Sequence, residues 1–195
     1  MNNNGKTLET FCPSSRADWR NWLINNHKNS QSVWVVFYKA SSGKSNLTWS
    51  DAVDEALCFG WIDSTKKSID NERFKQYFSH RKPKSTWSRI NKDKVECLIK
   101  EKLMTPSGLK VIERAKQDGS WTILDSVESL TIPDYLEAEF KKYKGSKEFF
   151  MSLSKSVKKG LIYWIISAKR TDTKQKRATD IAISAGQHLK PKQFR

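Results

Sequence analysis

The stretch SVWVVFYK, from Ser32 to Lys39, is β-branched and aromatic almost throughout, and it constrains the fold more than any other part of the chain. A half-buried strand alternates apolar with polar residues, so a run without alternation reads as a strand with both faces largely covered. Such a strand needs neighbours within a sheet and cover above and below it. WIDSTKKSI (Trp61 to Ile69) and RFKQYFSHR (Arg73 to Arg81), joined by the polar turn DNE, supply the neighbours as an antiparallel hairpin. In the second strand Phe74 and Phe78 fall on one face, while Lys75, Tyr77 and Ser79 fall on the other.

Helical signals supply the cover. SSRADWRNWLINNH, from Ser14 to His27, sets Trp19, Trp22 and Leu23 at helical spacing behind a serine cap. In LTWSDAVDEALCFG, Thr48 caps, Asp51 follows three residues on, Ala52, Val53, Ala56 and Leu57 form the apolar face, and Gly60 marks the stop. A further helix is expected from about Thr86 to Leu103, capped by Ser85 or Thr86. Another runs from Pro106 to Gln117, with Thr105 as cap and Gly119 beyond its end. SWTILDSVESLTIPDY reads as a net-negative connector to helices at Pro133–Lys142, Lys147–Leu153, Lys155–Lys169 and Asp172–His188. The fold class is therefore α+β: a small antiparallel sheet of about three strands packed with helices, then a C-terminal helical module. The expected domains are residues 1–125 and 126–195.

A chain of 195 residues supports one good core, or one core with a helical appendage. Its net charge of +15 is unevenly spread. Residues 73–102 carry ten cations against three anions, and residues 140–195 carry fifteen against three. Such asymmetry invites nucleic acid, an anionic membrane surface or a phosphorylated small molecule as partner.

Several classes are excluded. Cys12, Cys58 and Cys97 are scattered and never form a CxxC pair, which argues against a disulfide framework or zinc knuckle and for the reduced cytoplasm. The start of the chain, MNNNGKTLETFCPSS, has no apolar leader, and the longest apolar run, LIYWII (Leu161 to Ile166), is too short to span a bilayer. No GxGxxG, P-loop or HExxH is present, so no metal or cofactor is implied. His27, His80 and His188 lie far apart, and no nucleophile-base constellation stands out.

Two constellations remain. If Ser85 or Thr86 starts a helix, its first-turn N–H groups face the region of Arg81, Lys82 and Lys84, an arrangement that binds phosphate, sulfate or carboxylate. Trp87, Ser88, Arg89 and Asn91 extend the supply of ring face and hydrogen bonds, although a Trp such as Trp87 is more often a packing residue of the core. Asp63 follows the Gly60 turn and is placed to face the same cleft as Arg81, as base or as a carboxylate that ties down the turn. A secondary basic patch, Lys169, Arg170, Lys174 and Arg177, surrounds a helix start capped by Thr171.

The blocks EALCFGWIDS, SHRKPKSTWSRINKDKVECLIKEKLMTPSGLKVIERAKQDGSW and LSKSVKKGLIYWIISAKRTDTKQKR resemble the bacterial YdeI/OmpD-associated, or bacteriocin-protection, family. Members usually carry Pro where this chain has His80 and Gly where it has Ser64. The resemblance implies an indirect association with envelope stress and resistance to antimicrobial peptides, with no general enzymatic activity. By motif match it carries over Gly60, Trp61, Asp63, Arg81, Ser85, Trp87, Ser88 and Asn91 as positions of interest. The leading reading is thus a non-enzymatic binder of an anionic ligand, nucleic acid first, at Asp63, Arg81, Lys84, Ser85, Trp87, Ser88 and Asn91. The rival is an enzyme acting on a small phosphorylated or carboxylated substrate, with Asp63 as base. A third reading is a module whose basic C-terminal helices bind anionic lipid or a protein partner.

Overall fold

The structure, a computed structural model, describes residues 9–195; the reading that the chain's start carries no apolar leader falls largely on residues 1–8 and lies outside them. The chain divides into two compact units, one ending at Trp121 and one spanning Thr122–Arg195.

The first unit is built on a sheet of strands β1 (Thr10–Phe11), β2 (Ser32–Tyr38), β3 (Trp61–Ser68) and β4 (Arg73–His80), in the order β1-β2-β4-β3. The three strands expected from sequence pair antiparallel, and two-residue β1 adds a parallel edge beside β2. Register places Val33 opposite Phe78, Val35 opposite Gln76 and Phe37 opposite Phe74. Because side chains alternate along a strand, these residues share one face. Val33, Val35, Phe37 and Phe78 on that face join the core with Trp19, Trp22 and Leu23 of α1 (Arg16–Asn26) and Ala52, Val53, Ala56 and Leu57 of α2 (Trp49–Cys58). On the opposite face Trp34 and Val36 are also buried. Tyr77 packs edge-on to Trp34 at 5.1 Å, and the ammonium groups of Lys75 and Lys67 sit 4.9 and 5.4 Å from the indole. Lysine stems therefore help cover the second face of β2 while their charges reach solvent.

The helix starts follow their caps. Ser15 accepts from Asp18 N–H, Thr48 from Asp51 N–H and Thr105 from Gly108 N–H. One start differs from expectation. Helix α3 spans Arg89–Lys100 and is capped by Ser88, whose Oγ accepts from Asn91 N–H at 3.3 Å. Thr86 and Ser85 precede it, and the Ser85 hydroxyl instead donates to Lys82 O at 2.7 Å. Pro83 and the left-handed Lys84, φ 59°, keep the chain in a turn there, so helical geometry begins only at Arg89.

Helix α4 (Pro106–Gln117) docks its first turn against the end of α2 at unusually short range. Thr105 donates twice to Cys58 O, from its N–H at 3.1 Å and its Oγ1 at 2.7 Å. A Cβ on Gly108 would lie 2.3 Å from the same oxygen, so only glycine fits. Gly60, at φ +77°, makes the turn from α2 into β3. Glu55, buried on α2, holds Arg16 and Arg20 of α1 at 2.6 Å each, and Arg20 also donates to Leu103 O at 2.8 Å.

The second unit is helical: α5 (Asp125–Glu128), α6 (Asp134–Phe140), α7 (Ser146–Ser152), α8 (Lys155–Ile166) and α9 (Thr171–Gly186). Its core is Leu136, Phe140, Phe150, Leu161, Ile162, Ile165, Ala178, Ile181, Ala182 and Ala185. The segment expected as a connector is part of it, because Val127 is buried there and Leu124, Leu130 and Ile132 pack against the cluster. Thr171 does not cap α9; the cap position is Arg170, with no side-chain cap bond. Among the described residues no helix is long and apolar enough to cross a membrane.

Candidate functional site

Arg81 follows directly on β4 and is held by its N–H to Gly60 O at 3.0 Å. Its guanidinium turns inward, 3.6 Å from the centroid of Trp87, and donates through Nη2 to Thr86 O at 2.5 Å. Nε and Nη1 are buried with no hydrogen-bond partner among the described residues. Burial pushes this guanidinium down to about 10, and the charge of Asp63 opposes that shift through space. Trp87 is itself buried and packs at a tilt against Trp121, with ring centroids 4.9 Å apart. Arg81 and Trp87 thus form a closed cation–π pair rather than the open anion cradle expected from sequence.

The other expected site residues scatter around this pair. Asp63 Oδ2 accepts from Trp49 Nε1 at 3.0 Å and Gln76 Nε2 at 2.9 Å. Those two donors line a recess of about 320 Å³ with Lys66 and Phe74. Arg81 does not line that recess, so Asp63 and Arg81 do not converge on one pocket there. Lys84 is exposed, with its N–H on Asp118 Oδ2 at 3.1 Å. The Ser88 hydroxyl is occupied by the Asn91 backbone N–H at the start of α3. In the C-terminal unit Arg177 donates to Trp164 O near the end of α8 and lies over the Trp164 ring at 5.1 Å, so one cation of the secondary patch completes a helix end. Lys169 and Arg170 are exposed, and Lys174 is half-buried. Among the described residues no cluster of His, Cys, Asp and Glu is arranged to hold a metal.

A roomier recess lies elsewhere in the first unit. A cavity of about 510 Å³ opens between one face of α4 and the ends of α1, α2 and β4. Ser107, Lys110, Val111, Arg114 and Gln117 come from α4, at the three- and four-residue spacing that lays them along one helical face. His27 and Lys28 come from the end of α1, Phe59 from the end of α2 and His80 from the end of β4. Lys28, Lys110 and Arg114 bring three cations against the single carboxylate of Glu113.

Within the cavity the two histidines are held differently. His27 is buried; its Nδ1 lies 2.8 Å from Leu23 O and its Nε2 3.1 Å from Ser107 Oγ. His80 packs against the Trp61 ring at 4.8 Å, and burial lowers its pKa, with His27 adding to the effect and a backbone hydrogen bond to Ser30 opposing it. None of His27, Lys28, Ser107, Lys110 or Arg114 was among the site residues read from sequence. The 107/110/111/114/117 stripe is visible in the sequence, but nothing there says that it faces His27, eighty residues away.

The class defined by this fold is an α+β unit with a basic cavity, followed in the chain by a helical unit. Residues 11–111 match a family model described as a domain of unknown function, DUF8412, and residues 129–187 match the model described as "Bacteriocin-protection, YdeI or OmpD-Associated". The chain belongs to the DUF8412 family, whose model covers its N-terminal unit, and its C-terminal unit is similar to the YdeI/OmpD-associated, bacteriocin-protection family. The GWID and KSTWSRIN blocks fall within the first model, and the LSKSVKKG block within the second. No curated protein and no solved structure matches the chain.

Proposed function

We propose that the N-terminal unit binds a small anionic ligand, carrying a carboxylate or a phosphate, in the cavity between α4 and the ends of α1, α2 and β4. The observation that supports this reading is the lining: three cations, two imidazoles and the seryl hydroxyl at the start of α4 surround a concave space of ligand size. A charge-assisted hydrogen bond from Lys or Arg to an anion is about twice as strong as a neutral one. Apolar contact from Phe59 and Val111 would hold the remainder of the molecule. This relocates anion binding from the Arg81 turn, where the guanidinium is closed against Trp87, to a cavity that a solute can enter. Bacteriocin protection, named in the description of the second family, would on this reading be exerted through the bound ligand.

The test is a thermal-shift titration of the full chain with inorganic phosphate, citrate, a nucleoside monophosphate and a single-stranded oligonucleotide, at low and high salt. A saturable shift with one small anion, lost in Lys110→Ala/Arg114→Ala, is expected. Stabilisation by the oligonucleotide alone, abolished by salt and unchanged in the double variant, overturns the reading and leaves only general surface charge. No shift with any of the four also overturns it.

A further inference from the structure

The cavity holds a feature that anion binding does not require, the pairing of a serine hydroxyl with a buried imidazole. We propose that Ser107 is a nucleophile activated by His27, and that this pair hydrolyses the ester of a small anionic substrate. The proposal rests on the binding reading above, since the same cavity must hold the substrate's anion.

The tautomer follows from the partners. Leu23 O can only accept, so Nδ1, at 2.8 Å, carries the imidazole proton and donates it there. Nε2 is then the ring's lone-pair nitrogen and accepts the Ser107 hydroxyl at 3.1 Å. A backbone carbonyl thereby does for His27 what a carboxylate does in a serine-histidine-aspartate triad: it fixes the ring so that the basic nitrogen points at the nucleophile. The ring is further confined by Phe59, 5.0 Å away centre to centre, and by its burial against the core. His27 occupies the C-cap position of α1, where its own N–H also bonds to Leu23 O.

Ser107 sits at the second position of α4. Its N–H precedes the first intrahelical bond, which runs from Leu109 N–H to Thr105 O, so it is one of the helix's orphan donors. An oxyanion developing beside Ser107 Oγ would meet that N–H and the positive end of the helix dipole. The same helical face presents Lys110 and Arg114 to the cavity. With a rise of 1.5 Å per residue these stand about 4.5 and 10.5 Å along the axis from Ser107. The preferred substrate is therefore an ester whose carboxylate or phosphate lies roughly 5 to 10 Å from the scissile carbonyl carbon.

The chemistry balances with water as the second reactant. Ser107 Oγ forms a bond to the carbonyl carbon as its proton passes to His27 Nε2, and the carbonyl π electrons move to oxygen. Collapse breaks the carbon–oxygen bond to the alcohol, which leaves with the proton from Nε2. Water then attacks the acyl-serine carbon and gives a proton to Nε2. The carbon–Oγ bond breaks, Ser107 recovers that proton, and the carboxylic acid departs. His27 is base and acid in turn, and Leu23 O acts only as a positioning group.

Exposure of the full chain to diisopropyl fluorophosphate, followed by peptide mass spectrometry, tests the proposal. The probe is uncharged and so reads the serine-histidine pair independently of anion binding. Expected are modification at Ser107 in preference to the other serines, none at that peptide in Ser107→Ala, and a rate about 100-fold lower in folded His27→Gln, the scale of a lost general base. Small anions that shift the melting temperature should also slow the labelling. An unmodified Ser107 in the wild-type chain overturns the proposal, and if an anion shift persists in that sample the binding reading stands alone. Labelling at equal rate in folded His27→Gln overturns it too, leaving the bond as a tie between α1 and α4. Labelling of Ser107 without any anion shift supports the serine-histidine pair but overturns the binding reading, and with it the anionic substrate.

Discussion

Replacing Gly108 by alanine places a methyl group where α4 meets the end of α2. The new Cβ would lie 2.3 Å from Cys58 O and 2.8 Å from both Cys58 C and Leu57 O, all of them backbone atoms that no rotamer change can clear. An ordinary carbon–oxygen contact is about 3.3 Å, so the first turn of α4 must retreat by about 1 Å. That motion stretches the two Thr105 bonds to Cys58 O, now 3.1 and 2.7 Å, towards or past the limit of a hydrogen bond. Two bonds at about 1 kcal/mol each, and about 2 kcal/mol for a carbonyl left without its donors, are lost. Alanine returns about 1 kcal/mol through its helix propensity. The net cost is about 3 kcal/mol, or a melting shift on the order of 15 °C for a unit of this size. Gly43 provides the control: it has φ +67° with nothing within 4 Å of a built Cβ, so Gly43→Ala costs only about 1 kcal/mol of left-handed strain. Tryptophan emission during urea unfolding is the assay, because every tryptophan except Trp164 lies in the unit ending at Trp121. A Gly108→Ala loss no larger than that of Gly43→Ala refutes the claim that backbone contact at Cys58 fixes α4.

Two further outcomes follow from burial. Iodoacetamide should modify Cys12 and Cys97, both exposed, in the native protein, while Cys58, whose thiol burial pushes up to about 11, reacts only after denaturation; rapid native labelling of Cys58 would contradict its placement. Because burial lowers the His80 pKa, the unfolded chain takes up that proton first as pH falls. The resulting contribution to stability is fully present above about pH 6.5 and is lost as pH drops from there through the lower folded value. His80→Gln should flatten that part of the stability–pH curve, and an unchanged slope argues against the assignment.

Local chemistry carried much of the fold into the sequence. Thr48 and Asp51, or Thr105 and Pro106, satisfy or avoid the first unpaired N–H groups of a helix within four residues, so their caps are legible without tertiary contacts. The unalternating SVWVVFYK likewise announced a strand covered on both faces, and its burial agrees. The cap of α3 was misplaced because Ser85, Thr86 and Ser88 all offer a hydroxyl, and sequence alone does not weigh the turn at Pro83 and Lys84 against them. The connector was misjudged for a related reason: its low charge suits an exposed link, but Val127 and its neighbours find a core only when α8 and α9 are in place.

For the candidate site the balance reverses. The sequence determined that the chain is basic, which helices have an apolar face, and that Ser107, Lys110 and Arg114 share one side of α4. Only the tertiary structure decided which cations remain open. Arg81, the most prominent of the basic cluster by pattern, is turned inward onto Trp87, whereas unremarked Lys110 and Arg114 border a cavity. The reason is that exposure and pairing depend on what packs opposite a residue. His27 reaches Ser107 only because Gly108 lets α4 press against the end of α2, a contact that no local pattern encodes.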